Sequence, residues 1–396
     1  MMFLIEKWGK YIGILLFPLV LPLPLPMKYS AIALNLLVIN LLIISANSSL
    51  KGIKTLIKDP VIILFTLYFL TDALNTLLTL DFDKPLIREV KLAYVVLPIL
   101  ILINRETIIK LFELLFKVFV IGVLAYILIA WLYVAYYYII EHPTYIFDFS
   151  DHFVVYVLAN EFPYAIHHTY IGIYILVATI YIFSKTIKMN RKKRLIGFAI
   201  CIFFLFNSFY IGGKSTTLLT GIFIAVLIIK SFLSEIKIKG LHYYVTAFIF
   251  ISIVGLYGIF EWLSISVKQS FGKRMEIYQR CLDVIGDIFP FGIGKHNLKE
   301  LPLNPLEPMG KNLIPHNIYF NELIINGLLG LLLLLLMLFY LLYKGYKQNI
   351  VFFLFIISII VIGFTEDLVT RQRGVFFFVF FSAIFYARYK QRSFSK

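Results

Sequence analysis

Long apolar runs, separated by short stretches rich in charge, dominate this chain from end to end. A helix needs about 20 mostly apolar residues to cross about 30 Å of hydrocarbon. Runs of that kind fall at 11–27, 29–46, 60–80, 86–103, 114–140, 168–184, 195–211, 215–230, 241–260, 317–343, 348–364 and 374–388. The pattern predicts an all-α polytopic membrane protein with about twelve transmembrane helices. Pro22, Pro24 and Pro26 punctuate the first run, and no small-residue cleavage site follows it. It therefore reads as a retained span rather than a removed signal peptide, with prolines suited to turning the chain back.

The polar intervals orient these spans. Lys7 and Lys10 precede the first; Lys51, Lys54 and Lys58 follow the second; Arg105 and Lys110 follow the fourth. Lys185 to Arg194 follow the sixth, Lys230, Lys237 and Lys239 the eighth, Lys344 and Lys347 the tenth, and Arg388 to Lys396 close the chain. With twelve spans all of these clusters share one side, and basic residues mark the cytoplasm because they resist translocation. Both termini are then cytoplasmic. The outward segments become 81–85, 141–167, 212–214, 261–316 and 365–373, with a short turn near Lys28. Loops beyond about 12–15 residues tend to be functional, so the long loop 261–316, between the ninth and tenth spans, is expected to carry part of a site. No internal repeat or low-complexity linker divides residues 1–396, which read as a single membrane domain.

Composition agrees with burial in lipid. The chain is 61% hydrophobic and 15% charged, with a mean hydropathy of +0.89, where soluble domains carry roughly 25% charged residues. The net charge of +15 follows from the basic inner loops and their pairing with anionic lipid headgroups, so it gives no reason to invoke nucleic acid. Cys201 falls in an apolar run and Cys281 in a polar loop, positions that argue against a disulfide.

Chemistry gathers in the outward segments. His316, in Pro315-His316-Asn317, stands where the long loop becomes the tenth span, and nine residues later comes Gly327-Leu328-Leu329-Gly330. An imidazole at a membrane boundary titrates near neutral pH and suits a general base; the plainer alternative is an interfacial histidine. Asn317 suits a helix cap, and Gly327 with Gly330 on one face would allow close helix packing. Arg274 and Tyr278 are four apart, hence on one helix face, and a guanidinium with a phenol matches phosphate oxygens; the alternative is a solvated arginine paired with Glu276. Gly212-Gly213-Lys214-Ser215-Thr216-Thr217 hints at a phosphate loop, but Ser208 stands where a Walker motif needs its first glycine. What remains is Lys214 at the start of a helix whose free N–H groups favour anions, or an ordinary snorkelling lysine.

Glu366, Asp367, Arg371 and Arg373 fill the last outer turn, where mixed charge is usually solvated, and His167 with His168 offers another titrating pair. Asp72 and Glu322 lie inside apolar segments, where a carboxylate normally meets a partner or a cavity. Glu322, six residues past His316, is placed to line the same crevice. Nothing in the sequence calls for a metal or a cofactor.

These outer-side features together resemble the O-antigen ligase and O-antigen polymerase superfamily, and the bacterial O-antigen ligases most. His316-Asn317 followed by Gly327-x-x-Gly330 resembles the ligase signature at the start of a late span. Gly272-x-Arg274-x-x-x-Tyr278 and Phe289-Pro290-Phe291-Gly292-x-Gly294 are similar to its loop segment, and Ile362 to Arg373 to its late acid-and-arginine turn, with Glu366 or Asp367 as the acid. Gly213-Lys214-Ser215-Thr216 sits where those ligases have an arginine, so lysine keeps the charge and loses the fork. The resemblance spans roughly residues 200–380 and implies an inner-membrane enzyme with a periplasmic active site. Such an enzyme moves a glycan from an undecaprenyl-pyrophosphate carrier to lipid A–core oligosaccharide, without nucleotide, metal or cofactor. It further implies His316 as base, Arg274 as the chief cation at the pyrophosphate, Lys214 and Tyr278 as its other ligands, and Asn317, Glu322, Glu366, Asp367, Arg371 and Arg373 as support.

A polymerase, which joins one carrier-linked unit to another, would use the same residues with a different acceptor. A lipid-linked glycan transporter or flippase also suits twelve spans. Transporters more often show repeated halves and ionisable groups near the midplane, whereas most of the candidates here gather at one face.

Overall fold

The computed structural model describes residues 11–46, 56–78, 85–141, 154, 156–187, 189–235, 264–293, 316–369 and 371–394. Among the described residues there is no strand. The α-helices are α1 (Ile12–Val20), α2 (Met27–Ala46), α3 (Pro60–Leu78), α4 (Pro85–Ile103), α5 (Arg105–Tyr136, continued by a π-helical turn to Glu141), α6 (His168–Thr186), α7 (Arg191–Ile211), α8 (Lys214–Glu235), α9 (Ser264–Ile288), α10 (Ile318–Gln348), α11 (Ile350–Ile362) and α12 (Gln372–Phe394), and a short π-helical piece spans Val157–Glu161. A helix lies on every expected segment except 241–260, which is outside the described residues.

The helices differ from the expected spans in length. Among the described residues five are long and apolar enough to cross a membrane: Met27–Ala46, Arg105–Glu141, His168–Thr186, Lys193–Ile211 and Ile318–Lys347. These make the chain a multi-pass membrane protein by length and composition. The first segment yields only the nine residues of α1, because Pro22, Pro24 and Pro26 lack the amide hydrogens to continue it. Beyond Leu21 the chain turns and restarts at Met27. Helix α11 has 13 residues, ended at Gly363. The long segment 261–316, read as a loop, contains the 25-residue α9.

Two compact units emerge, one of Met1–Ala46 with Lys110–Val254, the other of Asn47–Ile109 with Gly255–Lys396. In the first, α6 is buried along nearly its whole length and packs against α7 and α8. Asn190 caps α7 by accepting from the Lys193 amide at 3.2 Å. At the start of α8, Thr216 Oγ1 donates to the Gly213 carbonyl at 2.6 Å and Thr217 Oγ1 to the Ser208 carbonyl at 2.6 Å. The glycine-lysine-threonine stretch is thus a tight helix junction whose hydroxyls serve its own backbone.

In the second unit, α10 packs against α3, α9, α11 and α12, and α4 lies between α3 and α12. Stacked rings fill its core: Phe65 with Phe378 at 5.9 Å and Phe352 with Phe385 at 5.1 Å. In lipid the tails are as apolar as these side chains, so close packing and internal polar contacts hold helices together rather than expulsion from water. One such contact joins α12 to the start of α3, where Tyr386 Oη donates to Asp59 Oδ2 at 3.2 Å.

Helix α9 is held to α10 by a small apolar cluster of Cys281, Ile285, Ile324 and Ile325. Burial there pushes the Cys281 thiol up to about 12, since an apolar setting disfavours the thiolate. A raised value means the reactive form is absent at ordinary pH. Maleimide at pH 7.5 should therefore leave Cys281 unmodified in the folded protein and modify it after denaturation. Rapid labelling of the folded protein, located by peptide mass, would contradict this packing of α9.

Candidate functional site

The site grows from the way α10 begins. Asn317 is its N-cap: Oδ1 accepts from the amides of Tyr319 at 2.9 Å and Phe320 at 3.1 Å, satisfying two donors that a helix start leaves open. The Ile318 amide is taken by the Gly363 carbonyl at 2.8 Å. The next carbonyl, of Phe364, accepts from Tyr278 Oη at 2.6 Å and from Asn317 Nδ2 at 3.4 Å. One carbonyl thereby ties α9, the head of α10 and the turn after α11 together.

His316 precedes the cap and faces that turn. Its Nδ1 lies 3.2 Å from Glu366 Oε1. The imidazole is 36% exposed and the carboxylate 3%, so a reachable ring rests on a buried acid. Arg371 Nη1 stands 3.8 Å from the same oxygen, and the Asp367 amide donates to it at 3.3 Å. Asp367 Oδ2 in turn accepts from Asn321 Nδ2 at 2.6 Å. With Nδ1–H donating to Glu366, the lone pair of His316 sits on Nε2. A ring whose tautomer and direction are fixed by a carboxylate can accept a proton and hold the resulting charge.

The burial of Glu366, Asp367 and Arg373 corrects the expectation that mixed charge in a short turn is solvated. The turn folds back onto the head of α10 and the side of α4: the Gly363 and Phe364 carbonyls serve the start of α10, and the Val369 carbonyl accepts from Tyr94 Oη, midway along α4, at 3.0 Å. Those contacts remove it from water. Tyr278 serves the fold itself. Its hydroxyl hydrogen goes to the Phe364 carbonyl, which makes it a clamp between α9 and the turn.

Gly327 was expected to share a packing face with Gly330. Instead its φ of 64° and ψ of −163° break α10, an arrangement that glycine adopts without a Cβ penalty. The Leu328 amide goes to the Pro290 carbonyl at 2.8 Å, and the Ile324 carbonyl accepts from the Ile293 amide at 2.8 Å. Gly292, with φ of 77°, packs its backbone into the same gap. The Phe289-Pro290-Phe291-Gly292 segment is thus keyed into the break.

Glu322 has the partner expected of a carboxylate in an apolar run. It is wholly buried, accepting from Tyr68 Oη at 2.6 Å and from Asn326 Nδ2 at 2.7 Å. Asp72 pairs with Lys91, a residue not singled out in the sequence because it falls inside the apolar segment 86–103. A lysine in such a run, one helix after an aspartate, was the available signal.

Arg274 lies on the backbone of α9, one turn before Tyr278; its side chain is outside the described residues, as is Gly294. Lys214 is the exposed first residue of α8 and belongs to the first unit, as do His167, the residue before α6, and His168, its first residue. Among the described residues no group of three or more His, Cys, Asp or Glu side chains could hold a metal ion.

Residues 165–335 match the family model described as O-antigen ligase. No curated protein matches the chain. The matched stretch contains Lys214, Arg274, Tyr278, His316 and Gly327, and it stops before Glu366.

The break generates a test. An alanine at Gly327 would press its Cβ against the backbone of Pro290 and Phe291 and force an L residue into a positive-φ, extended-ψ region that is essentially confined to glycine, at a cost of about 1–3 kcal/mol before the clash. Gly327→Ala should lower the melting temperature in detergent and free the 289–293 segment, seen as faster amide exchange at Ile293 and Leu328. An unchanged exchange rate at both amides would show that the break does not hold them.

Proposed function

We propose that this protein is an O-antigen ligase: it transfers a glycan from undecaprenyl pyrophosphate to lipid A–core oligosaccharide at the periplasmic face of the inner membrane. The observation that carries the reading is the His316–Glu366 pair, 3.2 Å apart at the capped head of α10, with His316 inside the matched ligase stretch. The acceptor hydroxyl gives its proton to His316 Nε2 while its oxygen attacks the anomeric carbon of the donor. The bond from that carbon to the pyrophosphate oxygen breaks, and the electron pair leaves with undecaprenyl pyrophosphate. Glu366 holds the imidazole and offsets its positive charge.

Charge building on the leaving group needs cations where water is scarce. Arg274 takes that role first and Lys214 second. A guanidinium matches two phosphate oxygens at once, and an ammonium supplies a point charge. Both substrates are lipid-anchored, so they approach sideways while their headgroups meet outside the membrane. The donor's own pyrophosphate bond drives the transfer, which suits a compartment without ATP and requires neither metal nor cofactor. The basic inner segments support cytoplasmic termini and an outward site.

His316→Ala should abolish transfer while leaving insertion and expression unchanged, and Glu366→Gln should lower turnover by about 10²-fold, measured with purified protein, carrier-linked glycan and lipid A–core. Arg274→Lys should reduce transfer more than the conserved charge suggests, because the fork is lost. Full activity of His316→Ala would eliminate the base assignment. Cells lacking the protein separate ligase from polymerase: a missing ligase leaves bare lipid A–core with long polymer on its carrier. Core bearing a single repeat unit would instead assign the polymerase reaction.

A further inference from the structure

The break at Gly327 leaves residues 318–326 as a short helical piece with His316 at its head. Its backbone ladder does not run on into the rest of α10: the Leu328 amide points to Pro290, and the Ile324 carbonyl to Ile293. The piece must therefore be located by side contacts. On one side these are the turn contacts of Asn317 and Asn321. On another they come from α3 and α4, through Asn75 Nδ2 donating to the Ile325 carbonyl, Tyr68 Oη donating to Glu322, and Lys91.

Lys91 is 1% exposed, pairs with Asp72, and places Nζ 3.9 Å from Glu322 Oε1. Two carboxylates, one on α3 and one on α10, thus share a single ammonium from α4. Like charges in a setting of low dielectric repel strongly, and a buried carboxylate stripped of its cation is destabilised far more than an exposed one. Glu322 is fully buried and Asp72 nearly so. The ammonium is what allows Asp72 and Glu322 to stand close together, and Glu322 lies on the same short piece as the catalytic imidazole, six residues on.

We propose that Lys91 is a positioning residue for His316, acting through Glu322. Resting on the transferase reading above, this makes the buried Lys91–Asp72–Glu322 cluster the anchor that fixes the head of α10 against α3 and α4. Lys91 does not touch the donor or the acceptor; its charge sets where the base stands.

The test compares Lys91→Met with the double variant Lys91→Met/Asp72→Asn in full-length protein held in nanodiscs. Hydrogen–deuterium exchange provides a readout free of any assumption about activity. Amides 318–322 should exchange faster in Lys91→Met, while peptides of α6 and α7 stay unchanged, and the double variant should restore protection because the surplus carboxylate is gone. With undecaprenyl-pyrophosphate-linked glycan and lipid A–core, turnover of Lys91→Met should fall by about 10²-fold, the usual effect of a displacement of about 1 Å. The KM for the donor should stay within about twofold, and the double variant should regain at least about tenfold in turnover. Unchanged exchange at 318–322 overturns the proposal, as does a double variant no better than the single one. A raised donor KM at full turnover overturns it too, by assigning Lys91 to substrate binding. Absence of transfer activity in the parent protein with the exchange pattern as expected would sink the ligase reading and leave the positioning role standing.

Discussion

A backbone amide or carbonyl cut loose inside an apolar bundle must find another partner, and the second unit is arranged around that requirement at Gly327. Each unpaired group in hydrocarbon costs several kcal/mol, so a helix does not break there without replacements. Here the replacements come from outside the helix: Ile293 and Pro290 of the segment after α9, and Asn75 of α3. The break therefore does more than bend α10. It docks α9 and α3 onto the point where α10 is interrupted, and it isolates the piece that carries the candidate base.

That isolation explains why so much polar machinery surrounds nine residues. Asn317 caps the piece, Phe364 receives both Asn317 and Tyr278, Asn321 donates to Asp367, and Glu322 meets Tyr68 and Lys91. The buried ones among these, Asn321 with Asp367 and Glu322 with Tyr68 and Lys91, are stronger than their surface counterparts and more damaging when half-satisfied. One oxygen of Glu366, Oε1, gathers the imidazole, Arg371 and a backbone amide. A base is useful when its tautomer and direction are settled before substrate arrives, and a buried acid beneath an exposed ring does this.

Sequence reading placed helices on the apolar runs because apolar length is a one-dimensional property, and it missed α9 because that helix lies in a segment too polar for the same rule. It located His316, Asn317 and Glu322 because a histidine at a boundary, an asparagine before an apolar run and a carboxylate within one are each conspicuous by themselves. It misjudged Glu366, Asp367 and Arg373 because four charges in a turn look solvated until the turn is seen to fold over the head of α10 and the side of α4. It misread Gly327 because spacing alone does not distinguish a glycine that lets helices approach from one that takes a positive φ. Lys91 escaped notice because its partners, Asp72 and Glu322, lie 19 and 231 positions away in the chain, and only packing brings them together.

The same contrast bears on how the two ends of the site are divided. The matched ligase stretch ends at 335, before the turn that supplies Glu366, and begins long after α3 and α4, which supply Tyr68, Asp72 and Lys91. The candidate base thus lies inside the matched stretch with Asn317, Asn321 and Glu322, while Glu366 and the α3 and α4 side chains that meet Glu322 lie outside it. A proton acceptor needs one chemical identity at one place, which constrains sequence tightly. A support needs only a side chain of suitable charge and length arriving from some neighbouring helix, and several helices can provide it. Recognition by motif accordingly finds the imidazole first, and only the packed structure reveals what holds it still.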